Sequence, residues 1–233
     1  MLFLESCQLN LVNVIPISID VEIGALLEEQ VCTQESDRFV DSLVRYSKIN
    51  ATKLIFEKLT NSAMLKHHAD FNWTIHFIQD DSTVNAFCLP GGHLFVYSGL
   101  LNLTANDAEI AGVLAHEIAH AELRHSLEQL IQQYGLQLIA ENLLGINGSW
   151  FGVGLQLAQL KFSRSDEEAA DIYAFQLLQF NQIDTDALIS FFKKMDQTNP
   201  SQISEFLSTH PDTENRIQTI QTLNQSENQQ KSN

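Results

Sequence analysis

Two histidines four residues apart flank a glutamate in the run His116-Glu117-Ile118-Ala119-His120. Residues i and i+4 share one face of a helix, so both imidazoles can reach a single ion. Zinc accepts neutral imidazole nitrogen at about 2.0–2.1 Å. Glu117 lies about 100° further round the helix axis than His116, which sets its carboxylate beside such an ion and not on it. A water held between the ion and Glu117 is acidified and gives its proton to the carboxylate, which is the chemistry of hydrolysis.

Two histidines do not complete a catalytic zinc, which usually takes three protein ligands and a water. One route is a third histidine just downstream, preceded by a glycine. Leu123 stands where that glycine is needed and Ser126 where the histidine is needed, with His125 one place short. The other route is a carboxylate from a second helix. Ser163-Arg-Ser-Asp-Glu-Glu-Ala-Ala-Asp171 opens such a helix, with Glu167 and Asp171 four apart on one face. Glu167 can ligate, while Asp171 can orient a ligand histidine through its second ring nitrogen. Glu168 points elsewhere and reads as a solvated glutamate favoured by the helix dipole. His67, His68, His76, His93 and His125 have no partner at metal spacing.

The elements that must hold these groups follow from the apolar pattern. The pair sits inside an apolar-periodic stretch, Asp107–Tyr134, with Thr104 and Asp107 resembling a capping arrangement at its start. Asp20 to about Met64 has helix spacing, and further helices are expected at about 155–180 and 184–196. Asn72-Trp-Thr-Ile-His-Phe-Ile alternates, Leu89-Pro-Gly-Gly92 is turn chemistry, and His93–Tyr97 follows as a strand, which together predict a small antiparallel sheet. The tail from about Asn224 is polar and expected to fray. The fold class is therefore α+β and mainly helical, with a small antiparallel sheet beside the helix that carries the histidine pair.

Composition narrows the field. The chain has 233 residues, 44% hydrophobic and 18% charged, and so can bury a core. Its 13 basic and 29 acidic residues give a formal charge of −16, which argues against nucleic acid as a partner. Three widely spaced cysteines, Cys7, Cys32 and Cys88, form neither a disulfide framework nor a zinc ribbon. Residues 1–30 show no basic, long-apolar leader, and the uncharged stretch 142–160 is too polar and glycine-broken to read as a membrane span.

H-E-x-x-H is a metalloprotease signature, and further motifs stand with it in order. They are Gln8-Leu-Asn-Leu-Val12, Asn85-Ala-Phe-Cys-Leu-Pro-Gly-Gly92, Gly99-Leu-Leu101, Val113-Leu-Ala-His-Glu-Ile-Ala-His120, Ser163-Arg164 with Glu167-Glu-Ala-Ala-Asp171, and Thr209-His-Pro211 with Arg216-Ile217. On these the chain resembles the M48 metallopeptidases, from about Leu9 to Ile220. The resemblance implies a zincin-like domain and a zinc endopeptidase of the gluzincin type with one Zn²⁺ per chain. It implies His116, His120 and Glu167 as ligands, with Glu167 selected over Glu168, and Glu117 as base. Residues 1–223 are expected to form a single peptidase domain of this type, with a helical part over 1–70, the small sheet over 71–103 and a zinc-binding helical part over 104–223, ahead of a flexible tail over 224–233.

Two further sites come with it. Asn85, Ala86 and Phe87, with His93, Leu94 and Phe95 of the run to Tyr97, would border the cleft, where an edge strand accepts an extended peptide through main-chain bonds. The alternative is a plain packed hairpin. His210, with Pro211 behind it, and Arg216 would lie over the metal. There they would either stabilise an oxyanion, or His210 would take the open ligand position and hold the enzyme latent. The partners implied are extended or unfolded polypeptides, as in protein quality control. The resemblance favours the cell envelope, with peripheral membrane association, over the cytoplasm. The competing function is a non-catalytic chaperone or binding module with a structural zinc, which has no need of Glu117. A zinc hydrolase of a non-peptide amide or ester shares the same chemistry.

Overall fold

The computed structural model describes residues 11–38, 46–143, 161–198, 200–211 and 213–231, with isolated positions 153, 156 and 159. Residues 1–10, Phe39, Leu43, Val44 and most of the uncharged stretch 142–160 lie outside them. The helices are α1 (Ile17–Gln34), α2 (Tyr46–Thr60), α3 (Ser98–Leu103), α4 (Asp107–Glu122), α5 (His125–Leu143), α6 (Arg164–Phe180), α7 (Asp186–Gln197), α8 (Pro200–Thr209) and α9 (Thr213–Lys231). The strands are β1 (Thr74–Ile78), β2 (Ala86–Leu89) and β3 (His93–Tyr97). The segment from Asn224, expected to fray, thus continues α9 to Lys231. None of the described helices is long and apolar enough to cross a membrane.

The sheet has the order β1-β3-β2. β2 and β3 are antiparallel as expected, from Ala86↔Val96 to Leu89↔His93. β1 instead runs parallel to β3, from Thr74↔His93 to Ile78↔Tyr97, so the sheet is mixed. The physical reason is that both faces of β3 are apolar and need cover. Leu94 and Val96, with Ala86 and Cys88, join the core around α4. Phe95 and Tyr97, with Phe87 and Leu89, join a second cluster with Ile23, Leu27 and Val31 of α1 and Leu127 and Leu130 of α5. A strand buried on both faces belongs in the middle of its sheet. The β2–β3 turn carries Gly91 at φ 77°, where a Cβ would stand 2.9 Å from the Asp20 carbonyl oxygen.

α4 is the central helix, buried from Glu109 to Glu122. Its cap is Asn106, whose side chain accepts from the Glu109 amide at 2.9 Å, two residues past the expected Thr104. Gly112 lets α4 approach α7 closely, since a Cβ there would sit 3.1 Å from the Leu188 Cα. The expected single helix Asp107–Tyr134 is two, separated at Leu123 and Arg124. Arg124 adopts a left-handed φ of 63°, which costs about 1–2 kcal/mol for a residue with a Cβ. Its guanidinium offsets this by binding Asp20 and the carbonyls of Val12 (2.7 Å) and Ile15 (2.9 Å). α1 is tied to the sheet at Glu28, whose Oε1 accepts from Thr74 Oγ1 and His76 Nε2, each at 2.7 Å, and faces His93 Nδ1 at 3.0 Å.

Candidate metal centre

α4 presents His116 and His120, and α6 packs against it with Glu167 and Asp171. α6 starts at a capping box, with Ser163 and Asp166 satisfying each other's backbone amides, and that fixes the turn from which Glu167 projects. His210 comes from the turn between α8 and α9, its amide bound to the Phe206 carbonyl at 2.8 Å. Arg216 stands in the first turn of α9. His116, His120, Glu167, Asp171, His210 and Arg216 are each at most 4% exposed.

His116, His120, Glu167 and His210 each offer one donor atom, all within 4.8 Å of one another. His116 Nε2 is 3.0 Å from His120 Nε2 and 3.3 Å from His210 Nδ1. Glu167 Oε1 is 3.0 Å from His210 Nδ1 and 3.5 Å from His120 Nε2. Donors about 2.0–2.1 Å from a tetrahedral ion are about 3.3 Å apart, so the spacing suits one small cation. The charges point the same way. Glu117, Glu167 and Asp171 are buried carboxylates, and among the described residues of the cluster Arg216 is the one permanent cation. Buried negative charge of that excess calls for a further positive ion.

Protonation follows the same balance. Burial and Arg216 push the His116 pKa down, but the hydrogen bonds it donates to Asp171 and Glu167 outweigh them and hold it at about 9. Burial raises the Glu167 pKa, yet His210 and Arg216 hold it well below the usual carboxylate range. Asp171 is lowered in the same way, chiefly by Arg216 against the cost of burial. Burial pushes Glu117 above the ordinary value, opposed in part by His210 and His116. Burial takes His120 far below the ordinary imidazole value, so it is neutral at pH 7. Glu117 is outside the four donors, and its Oε1 accepts no hydrogen bond among the described residues and stands 3.5 Å from His210 Nε2.

Asp171 Oδ1 lies 3.0 Å from His116 Nδ1, the place of an orienting carboxylate. Glu168 is exposed. Arg216 stands against the donor cluster. Its Nε and Nη2 bind Asp171 at 2.7 and 2.8 Å, its Nη1 faces Glu167 Oε2 at 2.7 Å, and Phe192 stacks against it at 4.3 Å. Arg216 Nη2 also lies 3.2 Å from both ring nitrogens of His116, so the guanidinium touches the donor set as well as the carboxylates.

The expected cleft residues divide. His93, Leu94 and Phe95 are on the central strand, paired on both sides and at most 2% exposed, so the edge reading is corrected for them: no peptide can add there. Asn85, Ala86 and Phe87 lead into β2, an edge strand, though each is buried. Ala86 N is held by Asn85 Oδ1 at 3.0 Å, and Ser126 Oγ donates to the Cys88 carbonyl at 2.6 Å. Sequence reading missed three neighbours of the donors. Phe162 stacks on His120 with centroids 3.9 Å apart, Phe206 lies 4.7 Å from His210, and His125 Nδ1 is 3.0 Å from His120 Nδ1. An aromatic near a metal motif carries no spacing signal, and His125 sits off the ligand face of a continuous helix.

The sequence model of peptidase family M48 matches residues 48–224. The chain is 29% identical over 222 residues to the mitochondrial metalloendopeptidase OMA1 of Bos taurus, covering 88% of this chain and 41% of that protein. It is 35% identical over 160 residues to the mitochondrial metalloendopeptidase OMA1 of Schizosaccharomyces pombe, covering 66% and 47%. To the metalloprotease YcaL of Escherichia coli it is 30% identical over 161 residues, covering 64% and 60%. The chain thus spans less than two thirds of the length of each of these relatives.

Proposed function

The chain belongs to peptidase family M48, and from that premise we propose that it is a zinc-dependent endopeptidase acting on extended or unfolded polypeptides, in protein quality control. The observation that carries this is Glu117: a buried carboxylate beside four converging donors, itself outside them, with an Oε1 that accepts no hydrogen bond among the described residues. A binding module with a structural ion has no use for that group. The location favoured is the cell envelope, with peripheral membrane association, and the OMA1 relatives are mitochondrial by name.

His116, His120 and Glu167 would hold the zinc, and Asp171 would fix the His116 ring. Zinc, when bound, polarises the scissile carbonyl and lowers the pKa of water. Glu117 takes the proton of the attacking water and returns it to the leaving amine. A substrate strand would pair along β2 by main-chain bonds, displacing the Asn85 and Ser126 side chains that hold the Ala86 amide and the Cys88 carbonyl, and would read backbone more than side chains.

His210 decides when this can happen. Its Nδ1 is among the four donors and its Nε2 faces Glu117, so it fills the place that water and substrate need. We assign it the latching role, with the turn at His210 and Pro211 swinging aside for substrate. His210→Ala should then cleave unfolded casein faster than wild type, by about tenfold if the closed state is favoured by about 1.4 kcal/mol. A slower variant with zinc still bound restores the oxyanion role. The proposal as a whole is tested by casein cleavage that stops on chelation and returns with one zinc per chain. Zinc-loaded protein that never cleaves, even as His210→Ala, overturns it in favour of a binding module.

Metal uptake should also depend on pH in a stated direction. His116 holds a proton below about 9 in the metal-free chain, and zinc requires the neutral ring. Apparent affinity therefore rises as pH climbs, by about tenfold per unit while one proton is displaced, and levels off above the pKa. Calorimetry in two buffers at pH 8 should count about one proton released; release of none contradicts the carboxylate-held His116.

A further inference from the structure

We propose that His125 is a positioning residue of the metal centre: it accepts the Nδ1 proton of His120 and so sets the tautomer and ring plane in which His120 offers Nε2 to the ion. The inference rests on His120 being a ligand. His120 Nε2 points into the donor cluster, 3.0 Å from His116 Nε2. Its Nδ1 lies 3.0 Å from His125 Nδ1, with the rings 69° apart. Two imidazole nitrogens at that distance share one proton between them, as donor and acceptor. A ligand bound through Nε2 must keep its proton on Nδ1. His125 is then the acceptor, and its own proton is on Nε2. Phe162 stacks on the His120 ring at 3.9 Å and 25°, so a ring contact and a hydrogen bond together fix its plane.

The two histidine ligands are thus oriented by different chemistry. His116 has the Asp171 carboxylate at 3.0 Å. His120 has a neutral acceptor, which orients the ring without adding a fourth anion to a site that already buries three. The fold has to make a special arrangement for this. In a continuous helix a residue five places on lies about 140° round the axis from His120 and off the ligand face. The left-handed Arg124 breaks α4 and returns His125 to the His120 ring, and Arg124 is itself held by Asp20 and by the carbonyls of Val12 and Ile15. Residues 12–20 therefore support the metal centre from a distance.

The test compares zinc affinity, by competition with a chelator at fixed pH, in wild type, His125→Leu and His125→Asn, alongside thermal melts of the metal-free proteins. Leucine removes the acceptor, and asparagine restores an acceptor oxygen near the position of Nδ1. His125→Leu should bind zinc about 10- to 100-fold more weakly, the usual scale for losing an orienting partner, and His125→Asn should recover most of that loss. Wild type binding zinc while His125→Leu binds it equally well overturns this inference alone. Wild type binding no zinc overturns the ligand assignment and this inference with it. His125→Asn as weak as His125→Leu, with both folded, shows a packing role and also overturns it. Should His125→Leu fail to fold, long-range ¹⁵N–¹H spectra of the wild type decide: protons on His120 Nδ1 and His125 Nε2 support the inference, and a proton on His125 Nδ1 refutes it.

Discussion

Glu117→Gln loses casein cleavage by about 10²- to 10⁴-fold, the range for removing a general base, and still binds one zinc per chain. The argument is geometric. Glu117 is not one of the four donors, so metal affinity does not run through it. Its Oε1 accepts no hydrogen bond among the described residues, and the amide gives up there only the 3.5 Å ion-pair contact with His210 Nε2. Burial already raises its pKa, which means the folded chain pays to keep it charged. The amide removes that cost, and the variant should melt no lower than wild type. Turnover, zinc content and melting temperature measured on the same preparation separate the outcomes. Full activity with stoichiometric zinc would remove Glu117 from the mechanism.

Arg216→Leu should destabilise the protein by about 3–5 kcal/mol, the scale for breaking a buried ion pair from one side. It would leave Asp171 and Glu167, at most 1% exposed, without the guanidinium that pairs with both at 2.7 Å. Phe192 would lose the cation stacked on its ring as well. Metal affinity should fall too, because Asp171 orients His116 and Glu167 is a proposed ligand. Urea unfolding of the metal-free variant gives the energy directly. A variant as stable as wild type but slow in turnover contradicts the positioning role and returns Arg216 to the transition state.

Much of this site was legible from spacing. His116 and His120 share a helix face, and Glu167 and Asp171 share another, because both helices are regular where those residues sit. What sequence could not convey depends on contacts remote along the chain. His93–Tyr97 is a short, mostly apolar run, and nothing local says that β1 will pair with it in parallel and make it central. Asp107–Tyr134 reads as one apolar-periodic helix, and the break comes from a guanidinium reaching carbonyls more than 100 residues earlier. Arg216 was expected over the metal by its place in a motif. The motif fixes which turn it stands on but not what the side chain touches, and Asp171 and Phe192 are the partners that hold it.

The four donors come from α4, from α6 and from the turn before α9, and His116 and His210 are 94 residues apart. An ion gripped by all of them is a removable crosslink between segments far apart along the chain. Binding that exists only in the folded state adds to its stability, by about 2.7 kcal/mol when free ion is a hundredfold above Kd. A copy that loses its ion is therefore idle and loosened together. On the proposed activity, a loosened chain is itself food for its loaded siblings. On that reading, metal supply would govern not only how many molecules work but how long an empty one survives.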